Sequence, residues 1–107
     1  MSKITELAEK EIVRGSILRI LTEVGNEGAS TKLIGKALNT AGFTVGRQEV
    51  EKELSYLEGK HLAGREHIEN RALGISRDIF RITPQGTDVL EGTLQADGIE
   101  TGEDDVI

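Results

Sequence analysis

A single α+β domain with the order helix, helix, helix, strand, strand, helix is predicted by three features of the chain. Apolar residues recur at three- and four-residue spacing in three stretches before residue 61. Two runs rich in strand formers follow, Ala63 to Glu69 and Asp78 to Thr83. The second run stops at Thr83-Pro84, which holds the only proline, and helix formers resume behind it. The 107 residues suffice for one domain and not two. Residues 1–97 are expected to form that domain, and residues 98–107 an acidic flexible tail.

The first helix lies within residues 3–24, where Val13, Ile17, Ile20, Leu21 and Val24 make an apolar face. Gly15 either kinks it or splits residues 3–12 off as a separate short helix. "GNEGAS", Gly25 to Ser30, reads as a loop. Ser30 or Thr31 caps a second helix with Leu33, Ile34, Ala37, Leu38 and Ala41 inward, and Gly42 suits the left-handed position behind it. After the short link "FTVG", a third helix runs from about Arg47 to Lys60 with Val50, Leu54 and Leu57 inward. Two helices joined by about four residues including glycine match a helix-turn-helix.

The two strands form a hairpin joined by "NRALGISR", with Gly74 at its tip. At the end of the return strand, the Thr83 hydroxyl can accept an N–H that the first helical turn leaves unpaired. Pro84 then occupies the first helical position, where its missing N–H costs nothing. A closing helix runs from Pro84 to about Ala96. Three helices, a two-stranded wing and a C-terminal helix make a winged helix-turn-helix.

The segments "VEKELSYLEGKHLAGR" and "FRITPQGTDVLEG" resemble winged-helix transcription regulators of the MarR and PadR kind. Their third helix commonly ends in Leu-x-x-Leu-Glu, here Leu54, Leu57 and Glu58. Their return strand commonly ends in Leu-Thr-x-x-Gly, here Ile82, Thr83 and Gly86. The segment "LEGTLQADGIE" is also similar to small winged-helix proteins of Mu-like prophages. The first resemblance covers about residues 13–92 and implies DNA binding. Regulators of this kind mostly carry a basic third helix, and this chain departs from them there.

The formal net charge is −6, yet it is unevenly spread. Residues 87–107 carry seven acidic groups and no basic one, leaving 13 basic against 12 acidic residues in the rest. Local patches outweigh the total because salt screens exposed charges within about 8–10 Å. The tail is either a solubilising end or a brake that folds over the basic wing.

At 100° per residue, Gln48, Lys52, Ser55 and Gly59 fall opposite the buried stripe of the third helix, flanked by Glu51 and Tyr56. Gln pairs bidentately with adenine, and Lys contacts guanine or phosphate. The same face is also what any solvated helix shows. Residues 47–60 sum to −1, which opposes phosphate, and Glu53 and Glu58 lie nearer the buried side, with Arg14, Arg19 or Lys36 as candidate partners that sequence alone does not assign. Residues 60–86 sum to +2, with Arg71 and Arg77 flanking the wing tip. Arginines there either touch phosphate and minor groove or guard exposed strand edges. The candidate DNA-binding residues are Arg47, Gln48, Lys52, Ser55 and Tyr56 on the third helix, and Lys60, Arg65, Arg71 and Arg77 in the wing.

Other chemistry finds little support. There is no cysteine, so disulfides and thiolate metal sites are excluded. His61 and His67 lack a third ligand, and "GNEGAS" lacks a P-loop lysine. Ser16, Ser30, Ser55 and Ser76 have no nucleophile context, and three aromatics are too few for a stacking platform. No apolar run approaches the ~20 residues of a membrane span.

The expectation is therefore a cytoplasmic, non-enzymatic regulator without cofactor or metal that binds double-stranded DNA. It is expected to act as a homodimer through the first helix (Ile4, Leu7, Ala8, Ile12) and the last (Val89, Leu90, Leu94). The competing expectation is a non-enzymatic, phage-encoded interaction module that binds protein and not DNA.

Overall fold

A computed structural model describes residues 3–100. Helix α1 spans Lys3–Val24 without interruption. Gly15 does not split it: a lone glycine costs about 1 kcal/mol but, unlike proline, removes no hydrogen bond. Val13, Ile17, Leu18 and Leu21 are fully buried, so the inward face is wider than the sequence stripe by Leu18. Residues 4–9 are all exposed, because α1 outruns the core at its start.

The expected loop after α1 contains a 3₁₀ turn, Gly25–Glu27, and a short strand β1, Ala29–Ser30. Two residues are too few to show alternation, which is why the sequence hid this strand. Helix α2, Thr31–Thr40, is capped by Ser30, whose hydroxyl accepts from the Leu33 N–H at 3.2 Å. Ile34 and Leu38 are buried, whereas Leu33 is 46% exposed and Ala41 lies outside the core, contrary to the inward face expected. Helix α3, Arg47–Gly59, buries Val50, Leu54 and Leu57 as expected, and also Glu53.

Strands β2, Ala63–Asn70, and β3, Ile75–Ile82, pair antiparallel from Ala63↔Ile82 to Asn70↔Ile75. The return strand thus starts three residues earlier than the sequence suggested, since Ile75, Ser76 and Arg77 complete the ladder opposite Ile68 to Asn70. Strand β1 adds to the other edge of β3, giving the order β1-β3-β2.

The Thr83-Pro84 junction forms as the sequence implied. The Thr83 hydroxyl accepts from the Gly86 N–H at 3.1 Å and donates to the His61 carbonyl at 2.6 Å. Gly86 packs so close to the Leu62 carbonyl that a Cβ there would overlap it, which explains a glycine at the end of the Thr-x-x-Gly step. Helix α4, Pro84–Glu91, is shorter than expected because Gly92 turns left-handed (φ +80°) and ends it. Val89 and Leu90 pack on the protein's own core, which leaves Leu94, 41% exposed, as the outward apolar residue of this region.

Chain beyond α4 runs back along α1. Ile99 packs against the core, the Gly98 carbonyl accepts from Arg14, and the Glu100 N–H donates to the Glu11 carbonyl at 3.0 Å. The first three residues of the expected flexible tail are thus held, and residues 101–107 lie outside the described residues. No helix among the described residues is long and apolar enough to cross a membrane.

Candidate nucleic-acid interface

A groove of about 730 Å³ lies between the N-terminal ends of α2 and α3 and the inner face of the wing. Lys32 and Lys36 line one wall, Gly46, Arg47 and Glu51 the second, and His67, Ser76, Arg77 and Asp78 the third. Lys32 and Lys36 are four residues apart on α2 and so share a face. Two helix N-termini meet at this groove, each carrying roughly half a positive charge from its aligned peptide dipoles. Four cations face two carboxylates there. Among the described residues, no ion pair holds Lys32, Lys36 or Arg77.

The remaining charges of the groove are partly engaged. Arg47 meets Glu51 at 3.0 Å one turn along α3, with side chains 84% and 53% exposed. Such an exposed pair contributes at most about 1 kcal/mol and gives way to a competing anion. His67 Nδ1 lies 2.8 Å from Asp78 Oδ1, and its Nε2 lies 3.6 Å from Glu69. The hydrogen bond to Asp78 holds the imidazole pKa above its ordinary value, with partial desolvation opposing and Glu69 assisting. The same bond, with Arg65 beside it, holds the Asp78 carboxyl below the usual range.

The sequence-predicted residues divide between this groove and other places. Arg47 and Arg77 belong to it. Gln48, Lys52 and Ser55 are exposed, but Gln48 and Lys52 line a separate cleft against Glu6 and Glu9 of α1. Tyr56 is turned into the fold: its ring lies 3.6 Å beneath the Arg14 guanidinium, and its hydroxyl donates to the Asp97 carbonyl. Lys60 is exposed, with its ammonium 5.7 Å from the same ring. Arg65 ties the wing to the end of α3 through Glu58 and Asp78, and it lies over Phe80. Arg71 sits at the wing tip, 92% exposed, with a single 3.3 Å contact to Glu69. Sequence reasoning missed Lys32 and Lys36 as groove residues; their four-residue spacing just behind the Ser30 cap was the available signal.

One further charged contact fixes α3 in place. Arg14 Nε meets Glu53 Oε1 at 2.6 Å with side chains 14% and 1% exposed, so α1 and α3 are pinned by a buried ion pair. Glu53 therefore finds Arg14, one of the three partners the sequence offered. No group of metal-ligating side chains occurs among the described residues.

Three helices, a three-stranded antiparallel sheet with a projecting wing, and a closing helix define a winged-helix domain. It is similar to winged-helix transcription regulators of the MarR and PadR kind. A PadR-like transcription factor from Bacteroides fragilis superposes with a TM-score of 0.73 at 21% identity, over 86% of this chain and 85% of that one. A PadR-like transcriptional regulator from Bacillus cereus gives 0.62 at 25% identity, over 74% of each chain. A MepR variant from Staphylococcus aureus gives 0.62 at 23% identity, over 82% of this chain and 59% of that one. No protein-family model matches the chain, and no curated protein matches it.

Proposed function

We propose that the protein is a small DNA-binding transcriptional regulator that seats duplex DNA against α3 and the basic wing. The observation that carries this reading is the groove in which Lys32, Lys36 and Arg77 stand beside two helix N-termini without carboxylate partners among the described residues. Such cations beside helix N-termini suit phosphate. Solved structures of similar fold named as PadR-like transcriptional regulators support the same reading. In it, Arg47 gives up Glu51 for phosphate, Ser55 on the outer face of α3 meets a base edge, Gln48 and Lys52 reach the duplex from the side of α3 nearer α1, and Arg71 and Arg77 hold the backbone. Lys60 and Arg65 stay near the base of the wing, where Arg65 braces it.

Two copies act together in this reading. The start of α1 presents Ile4, Leu7 and Ile12 at 80%, 59% and 42% exposure, apolar surface that the domain's own core leaves uncovered. A second copy would bury it and pair two DNA half-sites.

The second reading, a winged-helix module that binds protein and not DNA, is favoured by one feature. Helix α3 carries Glu49, Glu51, Glu53 and Glu58 against Arg47 and Lys52. Two of those carboxylates are already committed, Glu53 to Arg14 inside the fold and Glu58 to Arg65. Titration of random duplex at about 50 mM salt separates the readings, since low salt favours phosphate contacts. The regulator binds at two chains per duplex; the interaction module does not bind.

A further inference from the structure

We propose that Leu73, at the tip of the wing, is an apolar wedge that enters the DNA minor groove and partly opens one base-pair step. This deepens the DNA-binding reading above and holds only if that reading does.

Leu73 is 70% exposed at a hairpin tip, where polar residues are the rule. It is held firmly. Arg71–Leu73 form a 3₁₀ turn, and the Asn70 side-chain oxygen accepts from the Leu73 N–H at 3.1 Å. Gly74 closes the turn in the left-handed conformation, its N–H donating to the Arg71 carbonyl at 3.2 Å. A turn pinned in this way has little backbone freedom left to lose on insertion, so only the side-chain rotamers of Leu73 need be ordered.

Its surroundings point to nucleic acid as the occupant. Arg71, two residues before it, is 92% exposed, and Arg77 follows on the return strand with no ion pair among the described residues. A hydrophobic tip with one exposed guanidinium in its own turn and another lower on the return strand suits an apolar base stack bordered by phosphates. No other exposed large apolar residue lies in the wing, so the tip offers no patch of the size a protein partner covers.

Reach agrees with this. His67, Asp78, Arg77 and Ser76 line the groove in order toward the tip, and one further residue pair, Asn70 and Ile75, lies beyond Ser76 before the turn that carries Leu73. At about 3.3 Å per residue, the last pair stands roughly 10 Å from His67 and Asp78, which puts the tip at the outer rim of the groove, beside the neighbouring groove of a seated duplex. Side chains that wedge into base steps kink the duplex by roughly 20–90°.

The test uses the full chain and a duplex of about 30 base pairs with a flexible TA step every helical turn. Dyes at both ends report bending by energy transfer, and 2-aminopurine at the TA steps reports unstacking. The wild type should bend the duplex by at least about 20° and brighten 2-aminopurine. Leu73→Ala should lose both signals and weaken binding about tenfold, the fold-change expected from exposing one leucine side chain. Leu73→Met, similar in volume, should keep both signals. A Leu73→Ala protein that binds, bends and brightens like the wild type overturns the wedge while leaving DNA binding intact. A wild type that binds no duplex overturns the DNA-binding reading and the wedge with it.

Discussion

Replacing Arg14 with alanine should unfasten α3 from α1. Glu53 is 1% exposed, and its Oε1 lies 2.6 Å from Arg14 Nε. Its Oε2 has no hydrogen-bond partner among the described residues, so the carboxylate depends on one guanidinium. Removing one member of a buried ion pair costs about 3–5 kcal/mol, because the other charge is left uncompensated. Arg14 also lies 3.6 Å over the Tyr56 ring and holds the Gly98 carbonyl, so its loss frees the chain end as well. A domain of this size has about 5–15 kcal/mol in total, so Arg14→Ala should remove a large share of it. The melting temperature should fall on the order of 12–30 °C. The double variant Arg14→Met/Glu53→Leu puts apolar groups in both places and should lose no more than about 2 kcal/mol. Urea unfolding followed by circular dichroism, extrapolated linearly, measures both. A loss under about 1 kcal/mol for Arg14→Ala, or a double variant as unstable as the two single losses added together, would refute the account of this lock.

Two more perturbations test the wing and its junction. Thr83→Ala removes the cap on α4 and the bond to the His61 carbonyl, and should cost roughly 2 kcal/mol in urea unfolding, while Thr83→Ser keeps both bonds and most of the stability. Because the bond to Asp78 raises the His67 pKa above 6.5, the stabilisation from its charged form is complete below that ordinary value and fades as pH rises through the raised one. Asp78, shifted downward, loses its contribution only as pH falls through its lowered value, so the ion pair is intact between the two. DNA affinity measured at about pH 6 and about pH 8 should therefore be higher at the lower pH, flat for His67→Asn, and unchanged in its pH dependence for His61→Asn.

Much of the fold was legible because its signals are local. The 3.6-residue stripe marked Val50, Leu54 and Leu57, and the Thr83-Pro84 pair marked the turn from strand to helix. What escaped notice depends on contacts distant in sequence. Ala29–Ser30 is a strand only because β3 lies beside it, and Ile75 to Arg77 extend β3 only because Ile68 to Asn70 oppose them. Helix α4 ends at Gly92, yet its sequence continues with helix formers past that point. The candidate site was legible residue by residue but not as a surface. Angular position on α3 placed Gln48 and Lys52 outward, and it could not tell that they face α1 while Arg47 faces the wing. Lys32 and Lys36 entered the groove through the packing of α2 on the sheet, which no periodicity encodes. Net charge was the least informative quantity, since a buried ion pair engages Glu53 and a surface one engages Glu58, while groove cations keep no carboxylate among the described residues.

The central claim is that unpaired groove cations hold DNA phosphate, and the slope of log affinity against log salt concentration tests it most directly. Random duplex is titrated from about 50 to 200 mM salt with the wild type and with Lys32→Ala/Lys36→Ala/Arg77→Ala. The wild type should lose affinity steeply, and the triple variant should show a slope shallower by about 0.9 for each phosphate contact removed, roughly 2.7 in all. All three residues are on the surface, so the variant's stability should stay within about 0.5 kcal/mol of the wild type. A wild type that binds no duplex at low salt, or a triple variant with the wild-type slope, would contradict the account.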